Sequence, residues 1–542
     1  MFGIIEKIIY SSFSIIMHHK SFLFIIAMVL VFGGFAYWSN ESKNDSKSGD
    51  VSQVPDAVPT QIVHLKDGAR YELRAGYVMK DIAGNGKKIK MLAYNGMIPG
   101  PDFRATEGSS ATIHFVNNTD MLTLLHPHGL RLDYRSDGSQ LVQKEMQPGE
   151  TFDYQLAFPD PGIFWYHPHV REDIQQPMGL YGTFVVTPKD PAYWGKADRE
   201  ETLVLGDVFL EKGDIAPFSK KYVTHALMGR FGNTQLVNGQ LKPTLSGTTG
   251  EVRRLYILNT ASVRPFNFTI TGGAKMKLVG GDNGKYEKET FVDGVVIAPS
   301  ERMIVDVYFP NAGKYAMENN TPGKVYPLGQ FEISGEPTSK ANQTFPILRA
   351  DMEWGAQFRD GRKYLAKEPD QKIRFTVDVD MNKIMSQMGG GNMSGGHHSG
   401  TPASGTEGSA TPIEWDDTMG DMNTFSTSDT TKWIIRDELT GKENMDILWK
   451  LKKGAMTKVR ITNDNDSAHP MQHPFHVHGN RFLVLATNGV PNDNMVWKDT
   501  TQLKAGEVVD ILIEATNPGT WMAHCHISEH LHSGMMMGYD VE

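Results

Sequence analysis

Hydrophobic positions fall into two patterns along this chain. Near the N-terminus, residues 22–38 form a run of 17 residues without a charge. Beyond Ala57 the apolar residues come instead in short runs rich in Val, Ile, Phe and Thr, closed by Gly, Pro or Asn. Short runs broken by turn formers predict strands. Strands are expected at 111–116, 202–205, 254–258, 303–309, 457–462 and 508–513, and residues 506–520 read as a strand and a turn. The turn-rich stretch around Asn95-Gly96 is echoed by Val237-Asn238-Gly239-Gln240, which points to a repeated β unit. The expected organisation is all-β, with domains at 58–190, 198–345 and 365–542 behind an N-terminal hydrophobic segment and polar linker at 1–57.

The leading apolar run is at the short end for a membrane span. It follows His18-His19-Lys20, and no A-x-A-like cleavage site follows it. A signal anchor and a poorly marked signal peptide both fit, with Met17 as an alternative start. Lysines stand on both sides (Lys7 and Lys20, Lys43 and Lys47), so they do not orient it. The expectation is an extracytoplasmic protein, in the periplasm or at the cell surface, anchored by residues 22–38 if uncleaved.

Composition adds three limits. A formal charge of -9 gives no reason to expect nucleic acid as a partner. A single cysteine excludes an intramolecular disulfide. Residues 381–423 form an insertion in which Met381, Met385, Met388, Met393, His397, His398, Met419 and Met422 lie among Gly, Ser and Thr. At Met381, Met385 and Met388 the spacing allows a helix with a core face. Met393, His397 and His398 have no core to join, and thioether sulfur selects Cu(I), so this tract is a candidate for copper capture.

The chemistry concentrates at His524-Cys525-His526-Ile527-Ser528-Glu529-His530, with Met535 shortly after. On a strand, side chains alternate faces, so His524 and His526 point one way and Cys525 the other. Three more pairs share the spacing of two: His126 with His128, His167 with His169, and His476 with His478. A lone H-x-H is common by chance, but four pairs exceed what any mononuclear site uses. A multinuclear cluster between the first and third domains follows. His473 is out of phase with His476 and His478, and completes a second set with Cys525, His530 and Met535. Two His, one Cys and an axial Met are the ligands of a blue-copper electron-transfer site.

These motifs, H-P-H-G, W-Y-H-P-H, H-P-F-H-V-H-G and H-C-H-I-S-E-H with the trailing Met, resemble those of the three-domain multicopper oxidases (laccases, bacterial cuprous oxidases, ferroxidases). The resemblance spans about residues 58–542. It implies three cupredoxin-like Greek-key β-sandwich domains and four coppers per chain. The type 1 copper would lie at His473, Cys525, His530 and Met535. His126 and His476 would hold the type 2 copper. His128, His167, His169, His478, His524 and His526 would hold the type 3 pair.

The same resemblance implies an enzyme that passes single electrons from a reductant to O2, and a monomer is expected. Asp137, eleven residues after His126, stands where the family places a cluster-side acid. Bacterial members often carry a second acid two residues past the type 1 His; here that position is His532, which can itself carry protons. Met471 resembles the substrate-side Met of cuprous oxidases, but the acid that would accompany it falls at His469. Glu529 is a candidate for the route by which electrons arrive. The expected substrate is Cu(I), with phenols or aromatic amines second and Fe(II) or Mn(II) third. A copper nitrite reductase would have no use for histidines on both sides of Cys525, and a copper-free interaction protein would have lost ligands that are all present here.

Overall fold

The computed structural model describes residues 54–336, 339–349, 354–388 and 413–542. The run at 22–38 lies outside them, as do Met393, His397 and His398. Among the described residues no helix is long and apolar enough to cross a membrane.

Residues 55–542 form one unit built from three two-sheet β-sandwiches. The alternation of buried and exposed positions makes each strand two-faced; Ser110–Asn117 buries Ala111, Ile113 and Phe115 and turns Ser110 outward. The expected strands all lie within observed ones, save that the one expected at 303–309 ends at Tyr308.

The three sandwiches share one strand plan. Each of the six main sheets contains a parallel pair among antiparallel ones. In the first sandwich these are Ala69–Lys80 with Ser110–Asn117 and Asp102–Thr106 with Gly182–Thr187. In the second they are Arg199–Val208 with Val252–Asn259 and Thr244–Thr248 with Val325–Ser334. In the third they are Gln371–Val379 with Ala455–Asn463 and Leu448–Leu451 with Met536–Val541. Parallel neighbours need a crossover connection, which carries the chain between sheets. The echoed Asn-Gly turns are part of this repeat: Asn95, Gly96, Asn238 and Gly239 all have positive φ, from 50 to 78°, as a type I′ turn requires.

Five strands position the site: β1 (Leu125–His128) and β2 (Gly162–Pro168) in the first sandwich, β3 (Arg302–Tyr308) in the second, and β4 (His473–Val477) and β5 (Gly519–Cys525) in the third. β1 pairs antiparallel with β2, setting His126 opposite His167. β4 pairs antiparallel with β5, setting His476 opposite His524 and Phe475 opposite Cys525. The strands at the corresponding places of the middle sandwich, Phe266–Ile270 and Gly313–Asn320, contain no histidine.

Helices are short. They include α1 (Glu172–Gln175), α2 (Met381–Gln387), α3 (Asp421–Phe425) and α4 (Ser528–His532). The core-face reading of the insertion methionines fails on α2. Ile384 is its buried residue, whereas Met381 and Met385 are 41% and 48% exposed. Two turns bury only the inward residue, and the thioethers fall on the other side.

Candidate metal centres

The first centre lies between the two sheets of the third sandwich, under Trp433. His473 opens β4, Cys525 closes β5, and α4 presents His530. The Cys525 Sγ is 3.5 Å from His473 Nδ1 and 3.8 Å from His530 Nδ1, and the two nitrogens are 3.3 Å apart. Donors bound to one ion at about 2.0–2.3 Å and spread in a plane stand about 3.5 Å from one another, so these three fit an ion among them. Met535 is fully buried in the same cluster of side chains as Cys525. The indole of Trp433 stacks on His530 at 4.1 Å, and its Nε1 donates to Ala226 O. Burial pushes the Cys525 thiol up and, with His469 beside it, holds His473 at about 3. The ligands are therefore neutral until a cation draws the thiol proton off.

The second centre lies between the first and third sandwiches and gathers the eight paired histidines. Their outward nitrogens are tied down. His126, His167, His476 and His524 donate from Nδ1 to the carbonyls of Asp137, Pro168, Asp499 and Cys525, at 2.7–2.9 Å. His478 Nδ1 meets the Asp137 carboxylate at 2.9 Å, and His169 Nδ1 meets Gln140 Oε1 at 3.0 Å. A carbonyl can only accept, so Nδ1 carries the proton and Nε2 is a bare lone pair. His128 is reversed: its Nε2 meets Asp499 Oδ1 at 3.1 Å, and Nδ1 faces inward.

The inward lone pairs have no partner at His126, His128, His167, His169, His476 and His526. At His478 and His524 the two Nε2 atoms face each other at 2.9 Å. An unsatisfied buried polar atom costs about 1–3 kcal/mol, and six in one place are explained by cations that accept them all. Burial and the neighbouring imidazoles hold His167 and His524 well below the ordinary histidine range, so the rings are neutral donors. The donor set fits copper, for which imidazole is well suited.

The acids lie around this centre. Asp137 holds His478 by its carboxylate and His126 by its carbonyl. His532 contacts the Glu172 carboxylate through Nε2, and the other Glu172 oxygen is 3.2 Å from His169 Nδ1. Burial opposes the Glu172 charge, but His532 and His169 outweigh it and hold the acid at about 2. A carboxylate thus does stand beside His532, supplied by α1 of the first sandwich three residues after His169. Glu529, in contrast, is buried beside Asp173 and Arg230, and burial first, then Asp173, raises it to about 8. That position offers a substrate no direct approach. Met471 is 1% exposed, and burial holds its neighbour His469 at about 4.

Three residues at the centre escaped the sequence reading. Glu172 had a local signal, its i+3 spacing from His169. Asp499 and Arg302 had none, because their partners are about 200 positions away.

Family models described as multicopper oxidase match residues 78–191, 200–337 and 415–542. A multicopper oxidase of Staphylococcus haemolyticus is 25% identical over 457 residues, 82% of each chain. Laccase-4 of Arabidopsis thaliana is 24% identical, over 86% of this chain and 91% of its own. Among solved structures, a multicopper oxidase from Campylobacter jejuni superimposes with a TM-score of 0.65 at 23% identity, covering 91% of this chain and 97% of that one. The chain belongs to the multicopper oxidase family, with its cupredoxin-like fold, and is a copper-binding oxidoreductase that uses O2.

Proposed function

We infer that the chain holds four coppers, one at His473, Cys525, His530 and Met535 and three among the eight paired histidines, and that its substrate is Cu(I), oxidised outside the cytoplasm as a detoxification. Bound copper supplies one-electron redox chemistry, so that four substrate electrons reduce O2 to two waters. For Cu(I) the balance is four Cu(I), one O2 and four protons giving four Cu(II) and two waters. The convergence of bare imidazole lone pairs supports the copper count. His126 and His476 are the candidate type 2 ligands and the other six imidazoles the type 3 ligands.

The protein's own part is to hold, connect and supply protons. Cys525 lies between His524 and His526 on one chain segment, so a few covalent bonds join the two centres. Asp137 orients His126 and His478. His532, partly exposed, takes protons from water and passes them through Glu172 toward His169.

The observation that carries the Cu(I) reading is the placement of Met381 and Met385. They are exposed on α2, which packs against α3. From α3, Asn423 bonds Met228 N and Gly229 O, and Ser426, which follows it, accepts from Leu227 N. That loop packs Met228 into the side-chain cluster that holds Cys525. Soft donors thus stand one helix away from the loop that packs against the Cys525 cluster. Replacing Met381 and Met385 by alanine and deleting residues 389–409 should lower O2 uptake with Cu(I) more than with a phenol. Equal loss, or none, would overturn the copper-capture role. A laccase-like oxidation of phenols or aromatic amines is the second reading. It is favoured by the burial of Met471, which is not offered to an arriving ion.

A further inference from the structure

The middle sandwich supplies no histidine to either centre, yet one of its side chains reaches the larger one. Arg302, at the start of β3, is fully buried and makes a planar two-pronged contact with Asp499 of the third sandwich. Nη1 donates to Oδ1 at 2.6 Å and Nη2 donates to Oδ2. Nη1 also donates to the Ser300 carbonyl, at 3.0 Å, and Nε donates to the Ile163 carbonyl on β2, also at 3.0 Å. One guanidinium therefore joins all three sandwiches.

Asp499 is the next link. Its Oδ1 meets His128 Nε2 at 3.1 Å, its carbonyl accepts from His476 Nδ1 at 2.9 Å, and Thr500 Oγ1 lies within 3.2 Å of both rings. The middle sandwich also grips the far side of Asp499. Asn283 Nδ2 donates to Oδ2 at 2.9 Å, and Asp282 accepts from the backbone N of Arg302, at 2.9 Å, and of Asp499, at 3.3 Å. Lys498 pairs with Asp282 and Glu301 at 3.4 and 3.2 Å, and Arg302 Nη1 is itself 3.7 Å from Asp282 Oδ1. The fit is close: a Cβ on Gly129, the residue after His128, would stand 2.4 Å from Asp499 Oδ2 and 2.9 Å from Arg302 Nη2.

His128 is the ring that turns Nδ1 inward, and Asp499 is what holds it so. Without a fixed acceptor at Nε2 the ring is free to take the orientation of the other seven. We propose that Arg302 is a positioning residue for the trinuclear copper centre: by clamping Asp499 it fixes the ring orientation of His128 and His476, so the sandwich without ligands sets the geometry of the cluster. The proposal rests on the four-copper reading above.

The test uses the full-length, copper-loaded protein and Arg302→Lys, which keeps the charge but loses the planar fork. The type 1 visible band is the internal control, since it lies in the core of the third sandwich. Its intensity per chain should be unchanged. Trinuclear copper should be stripped by a chelator at about 10–100-fold lower concentration, as for lost outer partners of metal ligands. The type 2 EPR signal and near-ultraviolet absorption should change with it. Arg254→Lys is the matched control, because Arg254 forms an equally buried fork with Asp306 on the same strand, at 2.8 and 2.9 Å, away from any histidine. It should leave copper retention and spectra as in wild type. If the Lys variant does not fold, Arg302→Met combined with Asp499→Asn removes the fork and its two opposite charges together, with Lys498 still in contact with Asp282 and Glu301, and should show the same selective loss. Wild-type retention and spectra in these variants would overturn the proposal, as would equal losses in the Arg254 control. A wild-type chain without a trinuclear signature would overturn the four-copper reading itself and this one with it.

Discussion

His532 and Glu172 meet across the junction of the first and third sandwiches, imidazole Nε2 to carboxylate Oε2, and they form a file that ends on His169, one of the eight paired histidines. His532 is partly exposed and Glu172 is buried, so the file runs from water to the centre. Glu172→Gln keeps the shape of the file but removes the group that accepts a proton. Steady-state turnover should fall about 100-fold, the usual size of a lost proton-transfer group. The anaerobic rate at which substrate bleaches the type 1 band should be unchanged. A matching drop in both rates would mean that Glu172 acts on the electron side instead.

Acid should separate the first and third sandwiches through Asp160. Its carboxylate accepts from Arg131 Nε and Nη2 at 2.7 and 2.8 Å, and from Arg481 Nη1 of the third sandwich at 2.9 Å. Burial would raise its pKa, but the two arginines outweigh burial and hold it below 3.8. A carboxylate with a depressed folded pKa stabilises the fold above its unfolded value and loses that contribution as the pH falls through the folded one. Asp160→Asn should therefore cost about 3–5 kcal/mol at neutral pH, as for a broken buried pair. The gap from wild type should close as the pH drops below 3.8. Urea midpoints across that range check it; a gap independent of pH would exclude Asp160 as the titrating group.

Cys525→Ser tests whether the two centres are separable. Serine keeps the size of the side chain but is a poor ligand for a soft metal. The intense visible band should vanish while the type 2 EPR signal stays, and turnover with any reductant should stop. Loss of both signals would mean that the larger centre depends on the smaller one for its assembly.

The histidine pairs were legible because strand geometry converts a spacing of two directly into a shared face. The short apolar runs and the repeated Asn-Gly turn carried the three sandwiches for the same reason, since both are local rules. What joins distant segments was not legible. Nothing near Lys498 or Thr500 says that Asp499 takes an arginine from 197 residues away, and nothing in α4 says that the partner of His532 comes from α1. The methionines of α2 failed in the opposite direction. Their spacing matched a helical core face, but the helix has only seven residues and buries Ile384 alone.

Trp433 should control the smaller centre by two separable contacts. Its ring stacks on His530 at 4.1 Å, and its Nε1 donates to the Ala226 carbonyl at 2.8 Å. Trp433→Phe keeps an aromatic face against His530 but leaves that carbonyl unpaired, at a cost of about 1–3 kcal/mol. The type 1 band should keep its position. Trp433→Ala leaves a cavity worth about 3–5 kcal/mol and frees His530 to tilt away from Cys525 Sγ. The band should then shift and weaken, with the type 2 EPR signal unaffected. A band that moves equally in both variants would assign the effect to the hydrogen bond with Ala226 rather than to the stacked ring.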